Sequence, residues 1–272
     1  MRICALGDLL LDVIVRLESP IAEDADAYGQ TWVGAGGQAA NVAAWAAALG
    51  GEGRFVGKRA ADLAGRLVAE ELRARGVELV GPEVAGVTGT VVSVASSDGR
   101  RTMLTSRGVA PELRVEELDP AWIEGCDWLH LPGYSLLGEP LRTSALTAAG
   151  LARQGGAQVS LDLSSYSAAH EAGVEDFRAA CIEAGPAIVL ASERERETVG
   201  ELPADTWVVK RGAGGCSIET TVGRIELEAR PVDVVDATGA GDAFAAGYLL
   251  GGADLALEAA ARCVATMGAM PS

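Results

Sequence analysis

What most limits the fold of this chain is a repeated alternation of short β-type runs with alanine-rich helical stretches. "RICALG" at 2–7 reads as a buried strand, and "GQAANVAAWAAALG" at 37–50 as a helix ended by glycine. "RFVG" at 54–57 is a short strand, and "DLAGRLVAEELRARG" at 62–76 an amphipathic helix with a glycine stop. "WLHLPG", "AQVSLDL", "AIVLAS" and "TWVVKRG" continue as strands with helical patterns between them. Such alternation predicts a mostly parallel sheet covered by helices on both faces.

Two segments break the rhythm. "DVIVRLE" at 12–18 alternates apolar and polar residues. "TGTVVSVASSDGRRTMLTS" at 88–106 reads as a hairpin turning at Asp98-Gly99. Alternation means one wet face, so these pieces predict a small, half-exposed sheet attached to the main one. A further hairpin is expected in "GCSIETTVGRIELEA" at 215–229. With no repeat, low-complexity tract or linker, the expectation is one domain over 1–272, with an inserted flap from about 12–33 and 88–107.

Acids outnumber bases 38 to 22, for a formal charge of −16. A nucleic-acid partner needs a basic stripe, and an anionic membrane surface needs basic clusters; neither is expected here. The five cysteines, Cys4, Cys126, Cys181, Cys216 and Cys263, are scattered with no CxxC pair. They are expected to be buried thiols in a reducing cytoplasm. His130 and His170 are the only histidines, and zinc is not expected. The start "MRICALGDLL" does not read as a signal peptide, and no apolar run is long enough to span a bilayer.

The chemistry concentrates in "DATGAGDAF", Asp236 to Phe244. "PVDVVD" before it reads as a strand and "DAFAAGYLLGG" after it as a helix with a glycine stop. A glycine turn that opens a helix at the C-terminal end of a strand is an anion site, because the first N–H groups of a helix lack partners. Asp242 in the first helical turn then has two readings: a base beside bound phosphate, or an acid that complements the helix start. Spacing alone leaves both open. Gly34 to Gly37 open the helix over 38–49, which is apolar nearly all round apart from Gln38 and Asn41. A buried asparagine is either internally satisfied or aimed at a ligand. Asp12, just after the first strand, reads alone as an ordinary turn acid; with the Gly36-Gly37 turn and Asn41 it could hold a polyhydroxylated molecule.

These residues resemble the ribokinase/pfkB family of carbohydrate kinases. "DATGAGDAF" matches the family's C-terminal signature and "GAGGQAANVAAWAAALG" its N-terminal one, both specific; "ALGDLLLD" matches the opening strand. Order and spacing fit over essentially the whole chain. The resemblance implies a three-layer α/β/α ribokinase-like (Rossmann-like) core with a small β-sheet lid, the two halves closing over substrate. It implies ATP and Mg2+, with a monovalent cation as a further candidate. It makes Asp242 the catalytic base, and Gly239, Ala240 and Gly241 the backbone anion hole. Asp12, Gly36, Gly37 and Asn41 would grip substrate hydroxyls. "KRGAGG" resembles the nucleotide-side turn, with Lys210, Gly212 and Gly215; many relatives have threonine where Lys210 stands.

One departure stands out. The family's Asn-x-x-Glu motif, which helps position magnesium, is "SERE" here, with Ser192 for asparagine and Glu195 as the indirect metal contact. The plain alternative for this stretch is a helix cap followed by a solvated charged face. Among rivals, a Rossmann dehydrogenase finds a loose G-x-G-x-x-A match at Gly34 to Ala39 with Glu52 beyond, but leaves 236–244 unexplained. A Walker-type NTPase is excluded by the missing G-x-x-x-x-G-K-[ST]. A nucleoside kinase, with Trp32 as base platform, and a catalytically weakened sugar- or nucleotide-binding regulator complete the alternatives. A neutral sugar suits Asp12. A sugar acid or phosphate would need a cation such as Arg101 or Arg107. The resemblance also implies a homodimer joined through the lid, because a half-exposed sheet with unpaired edges is a liability alone.

Overall fold

A computed structural model describes residues 1–21, 23–96 and 101–272, without the side chain of Arg101. The expected Asp98-Gly99 turn, and Arg101 as a substrate-facing cation, lie outside the described residues. The chain runs through β1 (Arg2–Leu6), β2 (Leu10–Leu17), β3 (Gly29–Gly36), α1 (Gln38–Ala48), β4 (Glu52–Val56), β5 (Arg59–Ala60) and α2 (Leu63–Ala74). Next come β6 (Glu78–Val80), β7 (Glu83–Val84), β8 (Thr88–Ala95), β9 (Arg101–Gly108), β10 (Trp128–Pro132), α3 (Leu141–Gln154), β11 (Gln158–Asp162), α4 (Tyr166–Ala172) and α5 (Val174–Ala184). The last elements are β12 (Ile188–Ser192), α6 (Glu193–Val199), β13 (Thr206–Lys210), β14 (Cys216–Thr220), β15 (Gly223–Leu227) and α7 (Ala240–Val264).

Nine strands form the main sheet in the order β15-β14-β13-β12-β11-β10-β1-β4-β6. It is parallel from β13 to β6, and β14–β15 is the expected antiparallel hairpin at its edge. The parallel strands are almost wholly apolar because both faces are covered. α1, α2 and α7 pack one face around Trp45, Phe55 and Leu72. α3, α4, α5 and α6 pack the other around Leu129, Leu161 and Phe177. The alternating segments pair as a four-stranded second sheet, β3-β2-β8-β9.

Four expectations need correction. "PVDVVD" is not a strand: residues 231–236 lie outside any ladder, and Val234 is 65% exposed. Its valines alternate, but no strand edge stands beside them. The segment is tied instead by Val235 N and Asp236 N donating to the carbonyl of Val264. The "glycine stop" after Asp242 is a fold-back. Gly251 and Gly252 leave helical geometry and the chain then resumes as helix to Val264. A Cβ on Gly247 would come within 2.7 Å of the Cα of Ala256, so the two arms lie against each other. Gly34 and Gly36 belong to β3, and only Gly37 caps α1.

The cysteines are not all free. Cys4 and Cys126 form a disulfide, with Cα atoms 5.9 Å apart. They are remote in sequence, but β1 pairs with β10 in register Ile3↔Trp128, which brings Cys4 beside the turn before β10. Cys181, Cys216 and Cys263 remain buried thiols.

Trp45 shows how α1 is fixed to the chain's last segment. Its indole Nε1 donates to the carbonyl of Ala269 at 2.9 Å inside the core. Trp45→Phe keeps most of the apolar bulk but strands that carbonyl. We expect a loss of about 1–3 kcal/mol in urea unfolding; an unchanged midpoint would show that the bond contributes nothing.

Candidate active site

The main sheet delivers its chemistry at the C-terminal ends of the strands, where helix starts converge. α7 begins at Gly239, whose φ of 76° is in the left-handed region and suits a residue without Cβ. No side chain caps this helix start. The first N–H groups of a helix have no intrahelical acceptor; of these, Ala240 N reaches the carbonyl of Ala237 at 3.5 Å. The turn is shaped by Asp236, whose carboxylate accepts from Thr238 N (3.0 Å), Thr238 Oγ1 (2.7 Å) and Gly268 N (3.1 Å). Asp236 thus ties the glycine turn to the chain's last segment.

Asp242 is buried in the first turn of α7, 6% exposed. Asn41, on α1, donates to it through Nδ2 at 2.7 Å. The other end of that amide, Oδ1, is buried without a hydrogen-bond partner, as is Oε1 of Gln38. Burial pushes the Asp242 carboxyl up to about 7; the Asn41 bond and Lys210 oppose this, while Asp162 and Asp12 add to it.

Asp12 sits on β2 of the second sheet, not at an edge of the main sheet. A Cβ on Gly36 would fall inside the Asp12 carboxylate, so only glycine leaves that acid room. Burial, then Asp236 and Glu71, push Asp12 up to about 7. A Cβ on Gly37 would meet the carbonyl of Asp8. The structure thus gathers Asp12, Gly36 and Gly37 around the start of α1, and binds Asn41 to Asp242.

On the other side of the α7 start lies an apolar cavity of about 390 Å³. Lys210, Gly212 and Gly215 line it together with Ala240, Gly241, Phe244 and Leu257. Its volume falls in the range of small-molecule sites. Lys210 is ion-paired with Asp162, and its Nζ lies 3.3 Å from where a Cβ on Gly241 would be. Burial opposes its charge, but Asp162, Glu195 and Asp242 carry its pKa upward. Asp162, 2% exposed at the end of β11, was missed in the sequence. Its only signal was its place as the acid closing the "SLD" strand. Beneath it, His130 is fully buried against Ser160 Oγ at 3.0 Å, and burial lowers its pKa to about 4.

Ser192 and Glu195 form a reciprocal capping box on α6: Glu195 Oε2 accepts from Ser192 N at 2.7 Å, and Ser192 Oγ from Glu195 N at 3.3 Å. The plain alternative for "SERE" is thus realised. Among the described residues no three His, Cys, Asp or Glu side chains cluster as a metal cage. Trp32, on β3, has the Arg16 guanidinium 5.9 Å from its ring centre.

An open helix start faced by an ammonium, beside a buried acid that an amide holds in place, is an arrangement suited to a phosphate-bearing ligand. The chain belongs to the pfkB family of carbohydrate kinases, whose family model matches residues 1–270. The chain is 30% identical to an ATP-dependent ribose-1-phosphate kinase of Halopiger xanaduensis, over 97% of this chain and 90% of that protein. It is 30% identical to a probable fructokinase-6 of Arabidopsis thaliana, over 91% of this chain and 69% of the other. A probable sugar kinase from Rhizobium etli superposes with a TM-score of 0.88 at 24% identity, over 99% of this chain and 94% of that one. An adenosine kinase from Sinorhizobium meliloti gives 0.87 at 23%, over 99% and 95%. The fold is therefore the ribokinase-like one. No helix among the described residues is long and apolar enough to cross a membrane.

The folded chain holds the Asp242 proton up to about 7, against 3.8 for an unperturbed carboxyl. Between those values the folded state binds more protons, so stability falls as pH rises across that window. Asp242→Asn removes the titrating group. We expect a shallower decline from pH 4 to 7 and a higher melting temperature than wild type at pH 8. Melts across that series with an unchanged slope would count against the buried-acid assignment.

Proposed function

We propose that this chain transfers the γ-phosphoryl group of ATP to a hydroxyl of a small sugar or sugar-like acceptor. The observation that carries the reading is the Asn41–Asp242 pair. Its donor end fixes Asp242, and its buried acceptor end, Oδ1, lacks the hydrogen that a substrate hydroxyl would donate. Asp242, with its pKa near 7, is suited to take the proton from that hydroxyl near neutral pH. Asp12, in the space kept by Gly36, would accept from a second hydroxyl, and the backbone at Gly36 and Gly37 would close the grip.

The N–H groups of Gly239, Ala240 and Gly241 would receive the transferring phosphoryl oxygens, with Lys210 adding charge from the facing side. The apolar cavity with Gly212 and Gly215 would hold the base and ribose of ATP. Magnesium bound to the phosphates would neutralise their charge, and Asp162 and Glu195 would be the carboxylates to meet it. Glu195 is engaged by its capping box, which makes its part secondary. Omitting potassium from the assay reads the expected monovalent-cation dependence. ATP as donor supports a cytoplasmic location.

The second sheet would be the lid, and its outer face supports a homodimer. Val13↔Val33, Val13↔Val92 and Val92↔Leu104 are register neighbours across all four strands. Val33 is 59% and Leu104 61% exposed. An apolar row of this kind needs a cover. Light scattering at micromolar concentration should give twice the chain mass, and Leu104→Lys should return it to one; a wild-type monomer would end the dimer reading.

The transfer itself is tested by ADP release with ATP and a panel of sugars, sugar acids and nucleosides. Asp242→Asn should lower kcat by about 10²- to 10⁴-fold while ATP binding survives. In the wild type, kcat/KM should fall about tenfold per pH unit below about pH 7. Near-wild-type turnover by Asp242→Asn would sink the mechanism.

A further inference from the structure

Asp8 was not singled out by its sequence, yet it is buried at the end of β1, 7% exposed. Its carboxylate is held by a two-pronged ion pair to Arg107 on β9, with Nε to Oδ2 at 2.7 Å and Nη2 to Oδ1 at 2.9 Å. The same guanidinium lies 5.8 Å from the ring centre of Tyr134. Arg107 faces the cleft side of the second sheet. Asp12 pairs with Val91 and Val91 with Thr105, so these three share one face, and Arg107, two residues beyond Thr105, shares it too. Asp8 meets the cleft from the other side, because its carbonyl packs against Gly37, the cap of the helix that carries Asn41.

The charge around an acceptor can then be traced. Among the described residues, Arg75 is paired with Glu71 at 3.0 Å and Lys210 with Asp162. Arg107 is paired with Asp8. Arg16 shares the Asp12 face but sits four residues, about 13 Å, along the strand. There it donates to the carbonyl of Val235. Asp236 and Glu71 both push the Asp12 carboxyl up, so the surroundings of Asp12 disfavour negative charge. At Arg107, an acceptor with a phosphate or carboxylate would have to approach a cation that already holds one. A carboxylate set against a second anion in a low-dielectric pocket is strongly disfavoured. An uncharged polyol pays no such penalty.

We propose that Asp8 masks Arg107 and thereby sets the acceptor class, so that uncharged sugars or nucleosides are taken and phosphorylated or carboxylated sugars are refused. The proposal rests on the kinase reading above and narrows it. It departs from the phosphorylated acceptor of the ribose-1-phosphate kinase of Halopiger xanaduensis. Arg107 still has Nη1 to offer as a hydrogen-bond donor, so the masked cation can orient a hydroxyl without attracting an anion. Asp8 is a positioning residue: it acts through Arg107.

The test compares kcat/KM, by ADP release with ATP, for D-ribose against D-ribose 1-phosphate, for D-fructose against D-fructose 6-phosphate, and for adenosine and D-gluconate. The wild type should use at least one neutral probe 100-fold better than any anionic probe. Asp8→Asn should unmask Arg107 and cut that preference at least tenfold, and adding Arg107→Ala should cancel the change. A merely structural Asp8 would lower all probes together and leave the ratio in place. The wild-type ratio decides even where a variant does not fold. Preference for an anionic probe, a ratio unmoved in folded Asp8→Asn, or no turnover of any neutral probe while calorimetry shows ATP bound would each overturn the proposal. Failure to bind ATP at all would instead count against the kinase reading.

Discussion

The hydrogen bond from Asn41 to Asp242 joins residues 201 apart in the chain, and the rest of the site is arranged around it. It forms only if α1 and α7 begin at the same edge of the sheet and pack side by side. The apolar surface of α1, buried from Ala39 to Ala46, enforces that packing. The alanines let the helices approach closely, and the one polar side chain in the buried stretch then has a single direction to point. Once the bond is made, the geometry of Asp242 is set by the core rather than by a loop. Its raised pKa is a further result of the same burial.

The acidic character of the chain shapes the site without deciding what binds there. A net charge of −16 repels anions at long range. A phosphate must therefore be attracted locally, by an uncapped helix start and by one ammonium standing in front of it. Lys210 keeps its proton despite burial because Asp162 lies against it. The pairing also directs Lys210 to Asp162 rather than to Asp242. Acid and ammonium are thus both held near the reacting region with their roles kept apart.

Much of this was legible in the sequence, for identifiable reasons. Parallel strands buried on both faces give unbroken apolar runs, and helix starts with glycines are recognisable wherever they fall. Asn41 stood out because its neighbours are alanine and valine. What was hidden depends on neighbours far along the chain. Asp8 and Asp162 look like ordinary acids after a strand until β9 and β13 bring Arg107 and Lys210 to them. The Cys4–Cys126 bridge depends on β1 lying beside β10, an adjacency no local pattern announces. "PVDVVD" has the spacing of a strand and lacks only a partner edge. Ser192 is a departure from the family motif, yet its local chemistry with Glu195 is an ordinary helix cap.

The fold-back at Gly251 and Gly252 gives the apolar cavity beside α7 a wall drawn from both of its arms. Ala240, Gly241 and Phe244 come from one arm of α7, and Leu257, Ala260, Ala261 and Val264 from the other. The arm that carries Asp242 is therefore also half of that wall. Gly247 and Ala256 hold the two arms against each other, so any change in their spacing would reshape the cavity and shift the start of α7 together.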